Sequence, residues 1–449
     1  MSSPHRSLLV SRLHALLAHY PAARCWVAYS GGLDSHVLLH AMASLRGRLP
    51  EIAVEAIHVN HALQIHAQQW AEHCALTCAA LQLPCHVLHV NAASAVGESP
   101  EAAARHARYQ AFSGMMRKGD ILLTAHQRDD QAETLLLQLL RGAGLHGLAA
   151  MPVSARFGAG MHLRPLLEFT RAQLQHYAHE QQLASIEDPS NAETSFDRNY
   201  VRHEIMPRLE ARWPAVSNTF ARSARHAADA ACLLDAMAQG DFAQVADESG
   251  GLSVARLRTL ESPRQRNILR AWFRQLRLSL PSTAHIEHIL HDMVAVASDR
   301  VPCVRWQGVE VRRYRDLLYA LPPLQAHDAA MVLPWDMQRP LPLPADLGTL
   351  SAIPAQGCGL KASLCGAADV SVRFRRGGER CRPARRGHSH ELRKLYQEAG
   401  IPPWQRDRIP LIYVGPTLAA VGALWCCEPL HAGPGEDGLL IIQQAWSGA

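Results

Sequence analysis

The chain has 449 residues, of which 48% are hydrophobic and 19% charged, with a formal net charge of +5. At roughly 150 residues per domain this leaves room for about three domains, and the apolar share excludes a mostly disordered chain. No apolar run nears the ~18 residues of a membrane span, and neither a collagen nor a coiled-coil pattern is present.

Leu8, Leu9, Leu13, Leu16, Leu17 and Tyr20 recur at helical spacing and run directly into an apolar strand. The N-terminus, acid-free until Asp34 and bearing Arg and Ser, therefore reads as a packed first helix rather than a targeting segment. Strand-like runs follow at 25–30, 52–60, 85–91 and 120–126, with helical patterns at 35–46, 66–82, 100–118 and 129–140. Alternation of this kind predicts βαβ units and an α/β, doubly wound parallel sheet, whose ligands bind at the carboxyl ends of the strands. After Trp213-Pro214 the composition shifts to Ala, Leu, Arg and His at helical spacing over 216–300, with short strands over 301–320. Six prolines between Pro322 and Pro344 look like a linker. The last hundred residues mix short strands with one helix at 390–399. The expected domains are thus 1–214, a mainly helical 215–325, a linker at 326–349 and a small mixed α+β domain at 350–449.

Eleven cysteines at irregular spacing, with no C-x-x-C, argue for reduced thiols in a cytoplasm rather than a disulfide framework. Cys74 and Cys78 lie four apart, the spacing of one buried helix face. Residues 372–408 hold 11 Arg/Lys against 4 Asp/Glu, so the positive balance is local. Arg373, Arg375, Arg376, Arg380, Arg382, Arg385 and Arg386 crowd together there, with Tyr396 and Trp404 beyond them. Such a cluster suits an anionic partner, with a solvated Arg-rich face as the alternative.

The strongest local signal is Ser30-Gly31-Gly32-Leu33-Asp34-Ser35, between the first strand and its helix. Glycines let backbone N–H groups approach an anion, the helix N-terminus adds partial positive charge, and two serines add donors. The string lacks the G-K-[ST] ending of a Walker A loop. It resembles the PP-loop of the ATP pyrophosphatase superfamily, whose members direct a substrate oxygen at the ATP α-phosphate with pyrophosphate leaving. The resemblance implies that Ser30, Gly31, Gly32, Leu33 and Ser35 cradle pyrophosphate and that Asp34 helps hold Mg²⁺.

Further strings narrow the family: His58-Val59-Asn60-His61; Arg105 with Arg108-Tyr109; Thr124-Ala125-His126-Gln127-Arg128-Asp129-Asp130-Gln131-Ala132-Glu133; Arg164-Pro165-Leu166-Leu167; Glu187-Asp188-Pro189-Ser190-Asn191; and Arg198-Asn199-Tyr200-Val201-Arg202. With Arg375-Arg376-Gly377-Gly378-Glu379-Arg380 and Ile401-Pro402-Pro403-Trp404 they resemble, in order and spacing, the bacterial tRNA(Ile)-lysidine synthetases. The resemblance implies ATP-dependent ligation of free lysine to the wobble cytidine of a tRNA(Ile) with a CAU anticodon. A tRNA thiolase of the same superfamily, of the 2-thiocytidine synthase type, is the alternative.

The residue chemistry fits independently. An incoming lysine needs a carboxylate near its ammonium, and Glu133, one turn after Asp129-Asp130, is the candidate. Arg198 and Arg202 share a face if helical and are suited to grip a carboxylate or phosphate bidentately. His58, Asn60 and His126, at strand ends, are candidate nucleotide contacts. Structural readings stand beside each: Asp129-Asp130 as a helix cap, with Asp130 the better functional candidate; Arg198 paired to Glu187 or Asp188; His61 as a hydrogen bonder; Asn191 as a turn residue. The middle domain and cleft are expected to meet the anticodon arm, with the terminal domain on the backbone farther away. The oligomeric state stays open between monomer and homodimer.

Overall fold

A computed structural model describes residues 4–60, 67–90, 100–186, 192–248, 250–295, 302–344, 347–365, 369–384 and 386–444. His61, Glu187, Asp188, Pro189, Ser190, Asn191 and Arg385 lie outside the described residues. The chain divides into two compact units, Met1–Met237 and Ala238–Ala449.

The first unit runs α1 (Pro4–Ala18), β1 (Arg24–Ala28), α2 (Leu33–Leu45), β2 (Ala53–Asn60), α3 (Ala67–Ala80), β3 (Cys85–His89), α4 (Pro100–Met115), β4 (Ile121–Leu123) and α5 (Arg128–Leu140). There follow α6 (Leu145–Leu148), β5 (Ser154–Phe157), β6 (Gly160–Leu163), α7 (Arg171–Glu180), α8 (Asp197–Tyr200), a five-residue π turn (Val201–Ile205) and α9 (Met206–Arg212). The sheet order is β3-β2-β1-β4-β6-β5, parallel except for β5. The order reverses between β1 and β4, which opens a crevice at their carboxyl ends.

Both faces of this sheet are covered, as parallel sheets require. Cys25 and Val27 of β1 pack with Leu9, Leu13 and Leu17 of α1, Leu38 and Met42 of α2, and Tyr177 of α7. Trp26 points the other way, into Ile57, Phe112, Met116 and Leu122, and its Nε1 donates to Asp120 Oδ2 at 3.0 Å. The strand period of two thus splits one apolar run between two cores.

The β5–β6 hairpin was not expected from the sequence. Each arm has four residues and the turn is Gly158-Ala159, too short for a clear periodic signal. Gly160 is required there, because a Cβ would lie 2.1 Å from the Asp120 carbonyl oxygen.

The 30-residue α10 (Val216–Val245) leads into the second unit. Its first part holds β7 (Leu252–Ser253), α11 (Val254–Arg258), α12 (Ser262–Gln275), α13 (Thr283–His288), β8 (Cys303–Trp306), β9 (Val309–Tyr314) and β10 (Leu317–Leu321), around Trp272, Phe273, Ile286 and Val311. Its second part holds β11 (Val332–Pro334), β12 (Leu341–Pro342), β13 (Thr349–Gln356), β14 (Leu360–Lys361), α14 (Ala362–Cys365), β15 (Val370–Arg373), β16 (Arg380–Cys381) and β17 (His390–Glu391). It ends with α15 (Leu392–Glu398), α16 (Pro403–Arg406), β18 (Leu411–Val414), β19 (Thr417–Val421), β20 (Trp425–Cys426) and β21 (Asp437–Gln444).

The proline-rich stretch 326–349, expected as a linker, instead supplies β11 and β12 and seats Trp335, Met337, Leu343 and Leu347 in the C-terminal core. Its prolines are tolerated because β11 and β12 are edge strands, where a ladder donor is dispensable. Among the described residues no helix is long and apolar enough to cross a membrane.

Candidate active site

The Gly-rich loop leaves β1 at the switch point and opens α2. Gly31 takes φ +86°, and its carbonyl accepts from the Ile186 amide at 2.9 Å. A Cβ at Gly31 would meet Ile186 Cδ1 at 3.0 Å and Cys74 Sγ at 3.3 Å, so glycine is needed for both conformation and space. Ser35 Oγ accepts from the Ser30 amide at 3.2 Å and donates to the Gly32 carbonyl at 2.8 Å. The two serine hydroxyls lie 3.1 Å apart, and Ser30 Oγ also accepts from the Gly32 amide at 3.4 Å. This bracing keeps the first amides of α2, which have no acceptor in their own helix, together at one point. They form a cradle for phosphate.

Asp34 sits in that first turn. Its Oδ1 is buried with no hydrogen-bond partner. Burial, with Asp130 nearby, pushes its carboxyl up to about 6, against the pull of Arg171 and Arg202. An orphaned carboxylate oxygen beside a phosphate cradle fits a hard divalent cation, which takes one or two carboxylates and completes its shell with phosphates and water.

Across the crevice, α5 begins with a reciprocal cap. Gln127 Oε1 accepts from the Asp129 amide at 2.7 Å, and Asp130 Oδ2 accepts from the Gln127 amide at 2.9 Å. Asp129 caps as well, its Oδ2 accepting from the Arg171 amide at 3.1 Å. Capping therefore uses one oxygen of Asp130 and leaves Oδ1 to face Arg198 Nη2 at 2.9 Å and Arg202 Nη2 at 2.8 Å. One turn on, Glu133 Oε1 accepts from Arg202 Nε at 2.6 Å. Its Oε2 accepts from Arg198 Nε at 3.0 Å and Arg202 Nη2 at 2.9 Å.

Asp130, Glu133, Arg198 and Arg202 thus form one network, brought together by α5, α8 and the π turn. The Glu133 side chain is 3% exposed. Burial works against the charged form of Asp130, but Arg198, His126, the Gln127 amide and Arg202 outweigh it and hold its carboxyl below the usual range. Burial pushes the Glu133 carboxyl up, against the Arg202 hydrogen bond and the charges of both arginines. Each guanidinium is left with Nη1 bonded to none of the described residues.

The histidines divide by tautomer. His58 Nδ1 donates to the Tyr29 carbonyl at 2.9 Å, and burial lowers its pKa, so a neutral His58 keeps a lone pair on Nε2. His126 Nδ1 instead meets Thr124 Oγ1 at 2.8 Å, and Thr124 Oγ1 meets His162 Nε2 at 2.8 Å. Asn60 Nδ2 donates to the Ala67 carbonyl at 3.3 Å, which ties the end of β2 to the start of α3. His162, Thr124 and the buried Arg164 were given no role in the sequence reading. Thr124 and Arg164 stand in the strings that carry the resemblance, but His162, which joins them, lies in β6, which the sequence pattern did not show.

Cys74 and Cys78 lie on one buried face of α3 as expected, with Cys74 Sγ packed against Gly31; burial pushes its thiol up to about 12. One expectation is corrected. Tyr396 belongs to the core around Leu392 and Val421 rather than to a basic face. Trp404 packs on Tyr319 at 5.5 Å and under Arg312 at 5.3 Å. Of the basic cluster, Arg375 pairs with Asp407 and Arg386 with Glu398, both at 2.8 Å. Arg376, Arg380, Arg382, Arg393 and Lys394 are exposed.

A phosphate loop at the switch point of a parallel sheet, with a buried carboxylate at its rim, defines a PP-loop nucleotide-splitting enzyme, and residues 6–209 match the PP-loop domain family. ATP is the nucleotide of that class. Residues 252–319 match the TilS substrate binding domain and residues 370–443 the TilS substrate C-terminal domain. The chain belongs to the tRNA(Ile)-lysidine synthase family. It is 45% identical over 411 residues to tRNA(Ile)-lysidine synthase of Coxiella burnetii, covering 92% of this chain and 91% of that one. It is 44% identical to that of Methylococcus capsulatus, covering 94% and 96%. Among solved structures, the U34-tRNA thiolase NcsA from Methanococcus maripaludis aligns over 49% of this chain and 78% of its own at 16% identity, with a TM-score of 0.42.

Proposed function

We propose that this chain ligates free lysine to carbon 2 of the wobble cytidine in the CAU anticodon of tRNA(Ile), splitting ATP to AMP and diphosphate. The observation that carries the reading is the presence, in one chain, of the ATP loop and both TilS-type domains, at 45% identity to a family member over nine-tenths of its length. Lysidine pairs with A in place of G, so the product tRNA changes from methionine to isoleucine specificity. The reaction takes place in the cytoplasm.

In the first step the cytosine carbonyl oxygen attacks the ATP α-phosphorus, and diphosphate departs into the cradle of Ser30, Gly31, Gly32, Leu33 and Ser35. Asp34 holds Mg²⁺, which when bound neutralises charge growing on the leaving group. In the second step the lysine ε-amine attacks carbon 2 of the adenylated cytidine, the C–N bond forms, and AMP leaves. Asp130 and Glu133, whose oxygens are all bonded within the network, hold Arg198 and Arg202 side by side, and the Nη1 edges of the two arginines, bonded to none of the described residues, are presented to the lysine carboxylate or a phosphate. His58, Asn60 and His126 line the nucleotide. The buried thiols Cys74 and Cys78, raised in pKa, are poorly suited to the sulfur chemistry of a thiolase.

The test is lysine incorporation. Purified protein is incubated with ATP, Mg²⁺, labelled lysine and a tRNA(Ile) transcript bearing CAU, beside an elongator methionine control. Label entering only the isoleucine transcript, with AMP and diphosphate released, is the expected result. ATP cleavage that depends on tRNA but transfers no label overturns the lysine assignment. Light scattering on the same preparation tells a monomer from a homodimer.

A further inference from the structure

Four buried or half-buried side chains are linked by successive hydrogen bonds at the carboxyl ends of β4 and β6: Arg164, His162, Thr124 and His126. The parallel pairing of β4 with β6, Leu122 opposite His162 and Leu123 opposite Leu163, sets their spacing. The Thr124 amide donates to the Leu163 carbonyl at 3.1 Å, and the Arg164 amide to the Val153 carbonyl at 2.8 Å, so the two strand ends are pinned together.

The polarity of this line follows from its far end. A guanidinium only donates. Arg164 Nη2 lies 3.1 Å from His162 Nδ1, so that nitrogen is the acceptor. Its Nη1 is anchored on the Pro152 carbonyl at 2.8 Å, so the side chain does not swing away. His162 is 2% exposed and enclosed by the rings of Tyr109 and Phe157, each 5.8 Å away. Burial, with the charge of Arg164, lowers its pKa to about 3. A neutral His162 accepting at Nδ1 carries its proton on Nε2 and donates to Thr124 Oγ1. The hydroxyl, having received one hydrogen bond, has one proton to give, and its other neighbour is His126 Nδ1 at 2.8 Å. Burial lowers the His126 pKa to about 3 as well. A neutral His126 accepting at Nδ1 has its proton on Nε2, and none of the described residues bonds that nitrogen.

We propose that Arg164, acting through His162 and Thr124, fixes His126 as the Nε2–H tautomer, so that His126 presents a hydrogen-bond donor to a phosphoryl oxygen of the bound nucleotide rather than a lone pair that takes up a proton. The assignment of the acceptor rests on the function proposed above; the tautomer does not. Arg164, His162 and Thr124 are positioning residues in this scheme, and of the four His126 is the one that touches the nucleotide. His58 has the opposite arrangement, with its donor turned to the Tyr29 carbonyl and its lone pair left over. The crevice therefore holds two histidines of opposite polarity.

The experiment is long-range ¹H–¹⁵N NMR of the full chain with labelled histidine, the His126 signals being assigned from the His126→Gln spectrum. Wild type is expected to show His126 protonated at Nε2 and bare at Nδ1, with Nε2–H shifting when a non-hydrolysable ATP analogue is added. Thr124→Val, which keeps the shape and removes the hydroxyl, is expected to mix the two tautomers. It should also lower kcat for AMP formation by about 10–100-fold with little change in KM for ATP, the scale seen when a metal-bound histidine loses the partner that orients its other nitrogen. Thr124→Ser restores both readouts. His126 protonated at Nδ1 in wild type overturns the proposal, as does a Thr124→Val protein with unaltered tautomer and rate. A shift at Nε2–H that appears only with tRNA and not with the ATP analogue overturns the phosphoryl acceptor in favour of the cytosine oxygen. If wild type makes no lysidine while His126 remains the Nε2–H tautomer, the functional reading fails and the relay stands.

Discussion

Arg202 grips Glu133 through one edge of its guanidinium, Nε to Oε1 at 2.6 Å and Nη2 to Oε2 at 2.9 Å. Arg198 shares the same carboxylate at 3.0 Å. Two arginines four residues apart are held side by side only because Glu133 and Asp130 lie between them. Removing one member of a buried ion network leaves the others uncompensated, which costs about 3–5 kcal/mol. Glu133→Ala is therefore expected to lower stability by about that amount in urea unfolding and to abolish lysine incorporation. A loss below about 1 kcal/mol, the scale of an exposed pair, would sink the idea that Glu133 organises the site.

Asp34 presents the reverse case, a buried oxygen with nothing to bond. Asp34→Asn is expected to melt at the same or a higher temperature than wild type in metal-free buffer, since it removes an unpaired charge. The same variant should lose at least about 100-fold in AMP formation. A variant that melted lower and stayed active would show that the carboxylate is structural.

Gly31→Ala meets both a left-handed backbone at φ +86° and the Ile186 and Cys74 side chains. The strain is about 1–2 kcal/mol, and it is relieved most easily by shifting the loop. The KM for ATP is expected to rise about 10-fold, as 1.4 kcal/mol of lost loop fit implies. Steady-state AMP formation reads this directly, and an unchanged KM would mean that the loop does not cradle the nucleotide.

Acid should destabilise the fold partly through His162. Its pKa in the folded chain is about 3, below the ordinary value near 6.5 of the unfolded chain. The unfolded state therefore binds the proton first, and stability is lost as pH falls through 6.5 toward 3. Between pH 7.5 and pH 5, wild type should lose about 2 kcal/mol more than His162→Gln. Urea midpoints at the two pH values measure the difference, and parallel losses would refute it.

Among the basic residues of the C-terminal part, Arg382, Arg393 and Lys394 are exposed. Each phosphate contact contributes nearly one unit to the slope of log affinity against log salt. Replacing all three by Ala is expected to make the slope for tRNA shallower by about 2–3, with tRNA-independent properties such as ATP-analogue binding unaltered. Filter binding across a salt series reads it; an unchanged slope would place the backbone contacts elsewhere.

What sequence alone determined here is local. The S-G-G-x-D-S string, the apolar strands before it and the helical pattern after it depend on neighbours a few residues away, so loop, strand and helix could all be read in order. Asp130 and Glu133 could likewise be placed on one helix turn, and Arg198 and Arg202 on one face, because helical spacing is a local rule. Tertiary structure decided the pairings across the chain. Glu133 meets Arg202 over a separation of 69 residues and Thr124 meets His162 over 38, and periodicity carries no information on such distances. Cys74 came to lie under Gly31 for the same reason, since the fold of α3 over the sheet brings it there. The proline-rich stretch misled because proline forbids only a donated ladder bond, and whether a strand lies at an edge, where that bond is not needed, is settled by the whole sheet. The β5–β6 hairpin escaped notice because each arm is four residues long; its stability comes from pairing with β4, not from its own pattern. With it went His162 and the part that Arg164 plays through it, and so the polarity of His126, which is fixed by a donor-only guanidinium that the chain delivers from 38 residues away.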